Sequence, residues 1–273
     1  MKLLVQSDDY GITPAVARGI LYGIEHGIVR NTGVFTNMPW AEECIEWIRP
    51  YLDKIALGID LNASTGSSLL GYDKVPSLCH EDGSFYTSKE NRALDQDAEN
   101  HDHVVYEEVY AEFEAQIEKF IELVGKKPDY IHGHAYGTAT TFKASMDLAK
   151  KYDCLYSNQT QTIPGMKCAG MGWYQFGASP EGQLKEDLTS YIVKDTDGLL
   201  QYDYGYLITH CGWADKVLFD LSSFNLCRVK DLEALTSEEV KTWIKENHVE
   251  LITYKDLPYH HKDLPVEYHP FGM

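Results

Sequence analysis

Short apolar runs alternate with amphipathic stretches from one end of this chain to the other. Lys2-Leu3-Leu4-Val5-Gln6 reads as a strand closed by a polar turn over 7–11. Thr13 then stands as an N-cap, with Pro14 at the first helical position, where its missing N–H costs little. Gly27 ends that helix. Further strands are predicted over 32–37, 55–61, 129–133, 206–209 and 250–254, with helices over 41–51, 107–124, 142–152 and 238–247 between them. In the second of these, Val109, Phe113, Ile117, Phe120 and Val124 recur every three or four residues, the stripe of a helix packed on a sheet. Thr236 and Glu239 stand in capping-box register at the head of the last helix.

Strand–helix alternation of this kind implies an α/β fold with a parallel sheet, closed or open. There is no internal repeat, low-complexity tract or Pro/Ser-rich linker, so residues 1–273 read as one domain. One α/β barrel of about 200–250 residues would use nearly all of it. The stretch 62–106 breaks the rhythm: long, polar and charged, it is expected to be a functional insertion or to carry small elements of its own.

Charge and cysteine usage narrow the classes. With 24 Lys plus Arg against 42 Asp plus Glu, the net charge is −18, and phosphodiester backbones are repelled, which speaks against nucleic acid as a partner. No stretch approaches the roughly 20 apolar residues of a membrane span. The N-terminal segment meets two Asp by position 9, leaving no room for a secretory apolar core. Six Cys are scattered without CxxC spacing and read as free thiols of a reducing compartment, so a cytoplasmic protein is expected.

In a parallel α/β fold, ligands gather at the carboxyl ends of the strands. Asp8 and Asp9 follow the first predicted strand, and Asp60 lies within the third, between Gly58 and Asn62. His132 and His134 close the fourth, and His210 follows the fifth. Each has a plain structural reading: an Asp pair caps turns, and histidine pairs fill cores. Asp60 is more telling, because a carboxylate among apolar neighbours needs a partner or a metal. His132 and His134 share one side of a strand by period 2. The pairs at 101/103 and 260/261 read as solvated. Cys211 beside His210 is a poor nucleophile pair, because adjacent side chains rarely point together. No Walker A or GxGxxG motif follows a strand, so a nucleotide cofactor lacks support.

These residues carry a family resemblance. SDDYGITPAVARGI, continued by GIVRNTGVFTNMP, resembles the opening of the YdjC-like (ChbG-type) carbohydrate deacetylases. ALGIDLNAS, VPSLCHEDGSF, KKPDYIHGHAYG and ITHCGWAD follow that family's later motifs in order, so the likeness spans nearly the whole chain. It implies a distorted, TIM-like (β/α) barrel of the polysaccharide-deacetylase type, and a metal-dependent hydrolase that removes N-acetyl groups from amino sugars or short chitooligosaccharides. Carried over by motif, Asp9, Asp60 and His134 would ligate the metal, Asp8 would be the general base and His210 the general acid. The chain departs from the pattern at Asp60, which stands where the family has His, at His132, where it has Asp, at Tyr136, where it often has a later His, and more mildly at Cys211, where it has Pro. An Asp/Asp/His set favours Mg²⁺ or Mn²⁺ more than His₂Asp does, with Zn²⁺ still compatible. The departures leave open another amide or ester substrate on the same scaffold, or a sugar-binding or regulatory protein with a degenerate site. Trp40, Trp173, Tyr174 and Trp213 are candidates to stack on sugar rings. Arg18, Lys89, Arg92 and Arg228 could form a patch for an anionic substrate. The expected partner is a small carbohydrate, with self-association of the chain left open.

Overall fold

A computed structural model describes residues 1–265 and shows an α/β fold around one parallel sheet. In chain order the elements are β1 (Lys2–Tyr10), α1 (Pro14–His26), β2 (Asn31–Val34), α2 (Ala41–Ile48), β3 (Ala56–Leu61), α3 (Ser88–Asp97), α4 (Tyr106–Val124), β4 (Tyr130–Gly133) and α5 (Ala139–Tyr152). They continue with β5 (Leu155–Tyr156), β6 (Met166–Cys168), α6 (Pro180–Gln183), α7 (Leu188–Val193), β7 (Tyr204–Thr209), α8 (Lys216–Leu221), α9 (Leu226–Thr236), α10 (Glu238–Glu246) and β8 (Glu250–Ile252). The strands run β5-β4-β3-β2-β1-β7-β6, and β8 joins the first residues of β1. The sheet is curled but not closed: among the described residues β5 and β6 are its two ends, where a TIM-like barrel was expected. The last residues of the expected domain, 266–273, lie outside the described ones.

Local chemistry accounts for the well-read elements. Thr13 accepts from the Val16 N–H and caps α1 behind Pro14, as expected. The cap of α10 is Ser237 rather than Thr236: its hydroxyl accepts from the Val240 N–H. The insertion has elements of its own: α3, opened by a Thr87–Glu90 capping box, and two isolated bridges, Ser67–Ser84 and Cys79–Phe85. Within it, His103 is not solvated, its Nδ1 lying 2.6 Å from Asp95 Oδ1, and near the end of the described chain His261 is buried.

The largest difference lies in β1. A turn was expected over 7–11, yet the strand runs on through Ser7, Asp8 and Asp9 to Tyr10, all buried. Strands ordinarily disfavour Asp, but here tertiary partners override the propensity. The Ser7 hydroxyl donates to Cys211 Sγ at 3.1 Å, and both aspartates find partners across the sheet. Helices pack on the outer face of the sheet in one large apolar cluster. A second cluster fills the inside of the curl, with Leu4, Ala56, Tyr130, Tyr206, Ile252 and Tyr254. Tyr130 and Tyr254 stack at 3.9 Å between ring centroids. That aromatic layer is the floor on which the polar residues of the strand ends are built.

Candidate active site

Along β1, Leu4, Gln6 and Asp8 alternate onto the inner side of the sheet. Tyr206 and Tyr254 donate their hydroxyls to Gln6 Oε1 at 2.9 and 2.7 Å, and Gln6 Nε2 donates to Asp8 Oδ1 at 2.5 Å. Asp8 is thus oriented from below. Its other oxygen, Oδ2, lies 3.2 Å from His132 Nε2 and 3.9 Å from His210 Nε2.

Strict alternation would send Asp9 to the opposite face. Instead its backbone turns left-handed, with φ 71°, where the pairing of β1 with β2 slips between Ser7 and Tyr10. Such a conformation costs an L-residue roughly 1–2 kcal/mol and is tolerated best by Asn and Asp. The irregularity re-aims the side chain, as bulges near functional sites do. Asp9 Oδ1 meets His134 Nδ1 at 2.7 Å, and Arg228 Nη2 donates to Asp9 Oδ2 at 2.6 Å. Consecutive carboxylates therefore serve one site.

Asp60 reaches this site from underneath. Its Oδ2 accepts the Asp9 backbone N–H at 2.7 Å, while Oδ1 is buried without a partner. The carboxylate lies over Gly33, where a Cβ would come within 1.8 Å of Oδ1; only glycine leaves that space. His132 is the register partner of Asp60 across β3 and β4, and its Nδ1 sits 2.5 Å from Ser157 Oγ.

The electrostatics follow from burial and pairing. Burial works against the charge of Asp8, but the adjacent His132 prevails and holds the carboxyl below its ordinary value. Asp9 is likewise held well below the usual range against its burial, through His134 and Arg228. Burial and the charges of Asp8 and Asp9 push Asp60 the other way, well above it. His132 resists its own desolvation because Asp8 faces it, and titrates at about 9. Burial lowers His210. The site thus holds two ion pairs, Asp8–His132 and Asp9–Arg228, and one carboxyl, Asp60, that burial and its acidic neighbours push toward the neutral form.

A cleft of about 540 Å³ opens above these residues, within the size range of small-molecule sites. Asp9, His134, His210 and Arg228 line it, together with Ser64, Thr65, Lys89, Arg92, Tyr174 and Phe224. Asp8, Asp60 and His132 lie behind that wall. Of the aromatic candidates, Tyr174 alone lines the cleft; Trp173 is buried, Trp40 donates to the Gly11 carbonyl at 2.6 Å, and Trp213 packs on Tyr22 at 5.8 Å. Arg18 lies over Trp47 at 3.7 Å, away from the cations that line the cleft.

The structure gathers Asp8, Asp9, Asp60, His134 and His210 at one sheet end. It does not arrange the expected metal trio as a cage. Asp9 and His134 turn their facing atoms on each other, and Asp60 is engaged by the Asp9 amide. Among the described residues no group of three or more His, Cys, Asp or Glu is spaced to hold an ion. A catalytic zinc site needs three protein donors converging on one point, and this donor set, so arranged, does not fit one. Sequence reasoning also passed over Asp231 and Ser157, and saw Arg228 only as one cation of a patch. Arg228 and Asp231 stand three apart on α9, so both face the site.

A profile of the YdjC-like protein family matches residues 2–246. The chain belongs to the YdjC-like family. Among curated relatives, a carbohydrate deacetylase 2 from Listeria innocua is 29% identical over 261 residues, covering 94% of this chain and 99% of that one. A carbohydrate deacetylase from Enterococcus faecalis is 28% identical over 270 residues, covering 94% and 98%. A crystal structure from Enterococcus faecalis V583, provisionally described as a cellobiose-phosphate cleavage protein, superposes with a TM-score of 0.74 at 26% identity, covering 93% of this chain and 97% of its own. Among the described residues of this YdjC-like chain, no helix is long and apolar enough to cross a membrane.

Proposed function

We propose that this protein is a carbohydrate deacetylase that hydrolyses the N-acetyl group of an acetylated amino sugar or a short chitooligosaccharide. The observation that carries the reading is the approach of Asp8 and His210, a carboxylate and an imidazole 3.9 Å apart, beside an open cleft at the strand ends. The names of the relatives point the same way.

The reaction adds water to the acetyl carbonyl, breaks the C–N bond and releases acetate and an amine. Asp8, ionised and oriented by Gln6 and His132, would take the proton of the attacking water. His210, on the cleft wall with Nε2 3.9 Å from Asp8, would receive that proton from Asp8 and give it to the departing nitrogen, without which an amine is a poor leaving group. Each such positioned proton transfer is typically worth about 10²–10⁴-fold. Arg228 and His134 would hold Asp9 and give the cleft its fixed polar edge, while Thr65 steadies His134 Nε2 at 3.3 Å.

The test is to incubate the protein with N-acetylglucosamine, its β-1,4 oligomers and matching O-acetyl esters, and to measure acetate and free amine together. Equal release of acetate and amine is expected from at least one N-acetyl substrate, and Asp8→Asn should abolish it. Acetate from esters alone would favour the second hydrolase reading. The engagement of Asp60 away from the cleft favours a binding protein if no substrate turns over. The same assay with chelator, then with Mg²⁺, Mn²⁺ or Zn²⁺ restored, tests the divalent ion that the resemblance implies.

A further inference from the structure

His210 is held by groups that the reaction above does not use. The Asp231 carboxylate, reaching up from α9, accepts the His210 backbone N–H through Oδ2 at 2.9 Å. The Tyr174 hydroxyl donates to that same oxygen and lies 3.4 Å from His210 Nδ1. Two rings meet the imidazole edge-on, Tyr174 at 5.9 Å and Phe224 at 5.0 Å between centroids. The ring is therefore fixed with Nδ1 toward Tyr174 and Nε2 toward Asp8. Tyr174 lines the cleft, yet its hydroxyl donates to Asp231.

We infer that Tyr174 is a positioning residue for His210: its hydroxyl accepts Nδ1–H while donating to Asp231, so that Nε2 faces the leaving nitrogen. The inference rests on the acid role given to His210 above. A phenol can accept and donate at once, so it can pass the carboxylate's influence to the imidazole. Asp231, through Tyr174, fixes the tautomer and steadies the imidazolium when the ring is charged. A carboxylate does this directly in serine hydrolase triads. Here the hydroxyl stands between them.

Tyr174→Phe removes the hydroxyl and keeps the ring. With an N-acetyl amino sugar, kcat should fall about 10–100-fold while KM stays within about twofold. With p-nitrophenyl acetate, whose leaving group departs without a proton, the rate should stay within about twofold. A parallel loss on both substrates, or no loss on either, would overturn the inference. The ¹⁵N spectrum of the His210 ring gives a readout that needs no turnover. The wild type should show the Nδ1–H tautomer, and Tyr174→Phe should lose it. If the wild type shows Nε2–H instead, Tyr174 is not the acceptor. Absence of N-acetyl hydrolysis by the wild type sinks the deacetylase reading, and the spectrum still decides the positioning of His210.

Discussion

The ion pair between Asp9 and Arg228 joins the bulged end of β1 to α9, and its removal has a calculable consequence. Both residues are 1% exposed, and Nη2 and Oδ2 lie 2.6 Å apart. Arg228 also donates through Nε to the Phe224 carbonyl at 2.9 Å, so its geometry is held at two points. Arg228→Met keeps much of the volume but leaves the Asp9 carboxylate with His134 alone in a dry site. Deleting one partner of a buried pair costs about 3–5 kcal/mol, most of it the penalty of the stranded charge. For a chain of this size that corresponds to a fall in Tm of roughly 5–9 °C. Asp9→Asn should cost a similar amount by stranding the guanidinium. The double variant should be more stable than either single one, because it strands no charge. Urea and thermal melts of the four proteins, in chelator, complete the cycle. A loss below about 1 kcal/mol for Arg228→Met, or additive losses in the double variant, would refute the pairing as the lock between β1 and α9.

Other consequences are equally direct. Gly33→Ala places a Cβ where Asp60 Oδ1 now lies, 1.8 Å away, and should destabilise by about 1–3 kcal/mol in urea melts. Gly33→Ala with Asp60→Ala should regain most of that loss, and a single variant that melts like the wild type would show that Asp60 does not sit over Gly33. Burial raises the Asp231 carboxyl to about 7, so the folded state holds that proton more tightly than the unfolded chain. Its stabilising contribution is full below about pH 4 and is lost as the pH rises through about 7. Asp231→Asn removes this dependence. The variant's stability relative to the wild type should therefore climb by a few kcal/mol between pH 4 and 7, and parallel curves would exclude the shift.

How much of this was legible along the chain depended on whether the signal was local. The caps of α1, the stripe of α4 and the apolar runs of the central strands carry their own periodicity, and they were read correctly. The two-residue β5 and three-residue β6 are too short for a period to show. The buried face of α9 escaped notice because Arg228 and Asp231 occupy it beside Cys227, Leu232 and Leu235. An apolar stripe interrupted by two charges does not look like a core helix until their partners, Asp9 and Tyr174, are known. The continuation of β1 through Asp8 and Asp9 was hidden for the same reason: what holds two carboxylates in a strand lies on β4, β7 and α9.

Two of the departures from the family pattern, Asp60 and His132, look independent in sequence, one on the third strand and one on the fourth. In space they are a single rung, because Asp60 and His132 are register partners across β3 and β4. Where the pattern has imidazole then carboxylate, this chain has carboxylate then imidazole, so the pair of residue types is kept and its order reversed. The consequence is physical rather than formal. On β4 the imidazole can take Ser157 at Nδ1 and Asp8 at Nε2, which makes it a support for Asp8. On β3 the shorter carboxyl fits over Gly33 and takes the Asp9 amide, helping to hold the left-handed residue that aims the second aspartate. Both groups thus lie in the layer behind the cleft wall, and Asp9, His134 and His210 are the predicted residues that face a ligand.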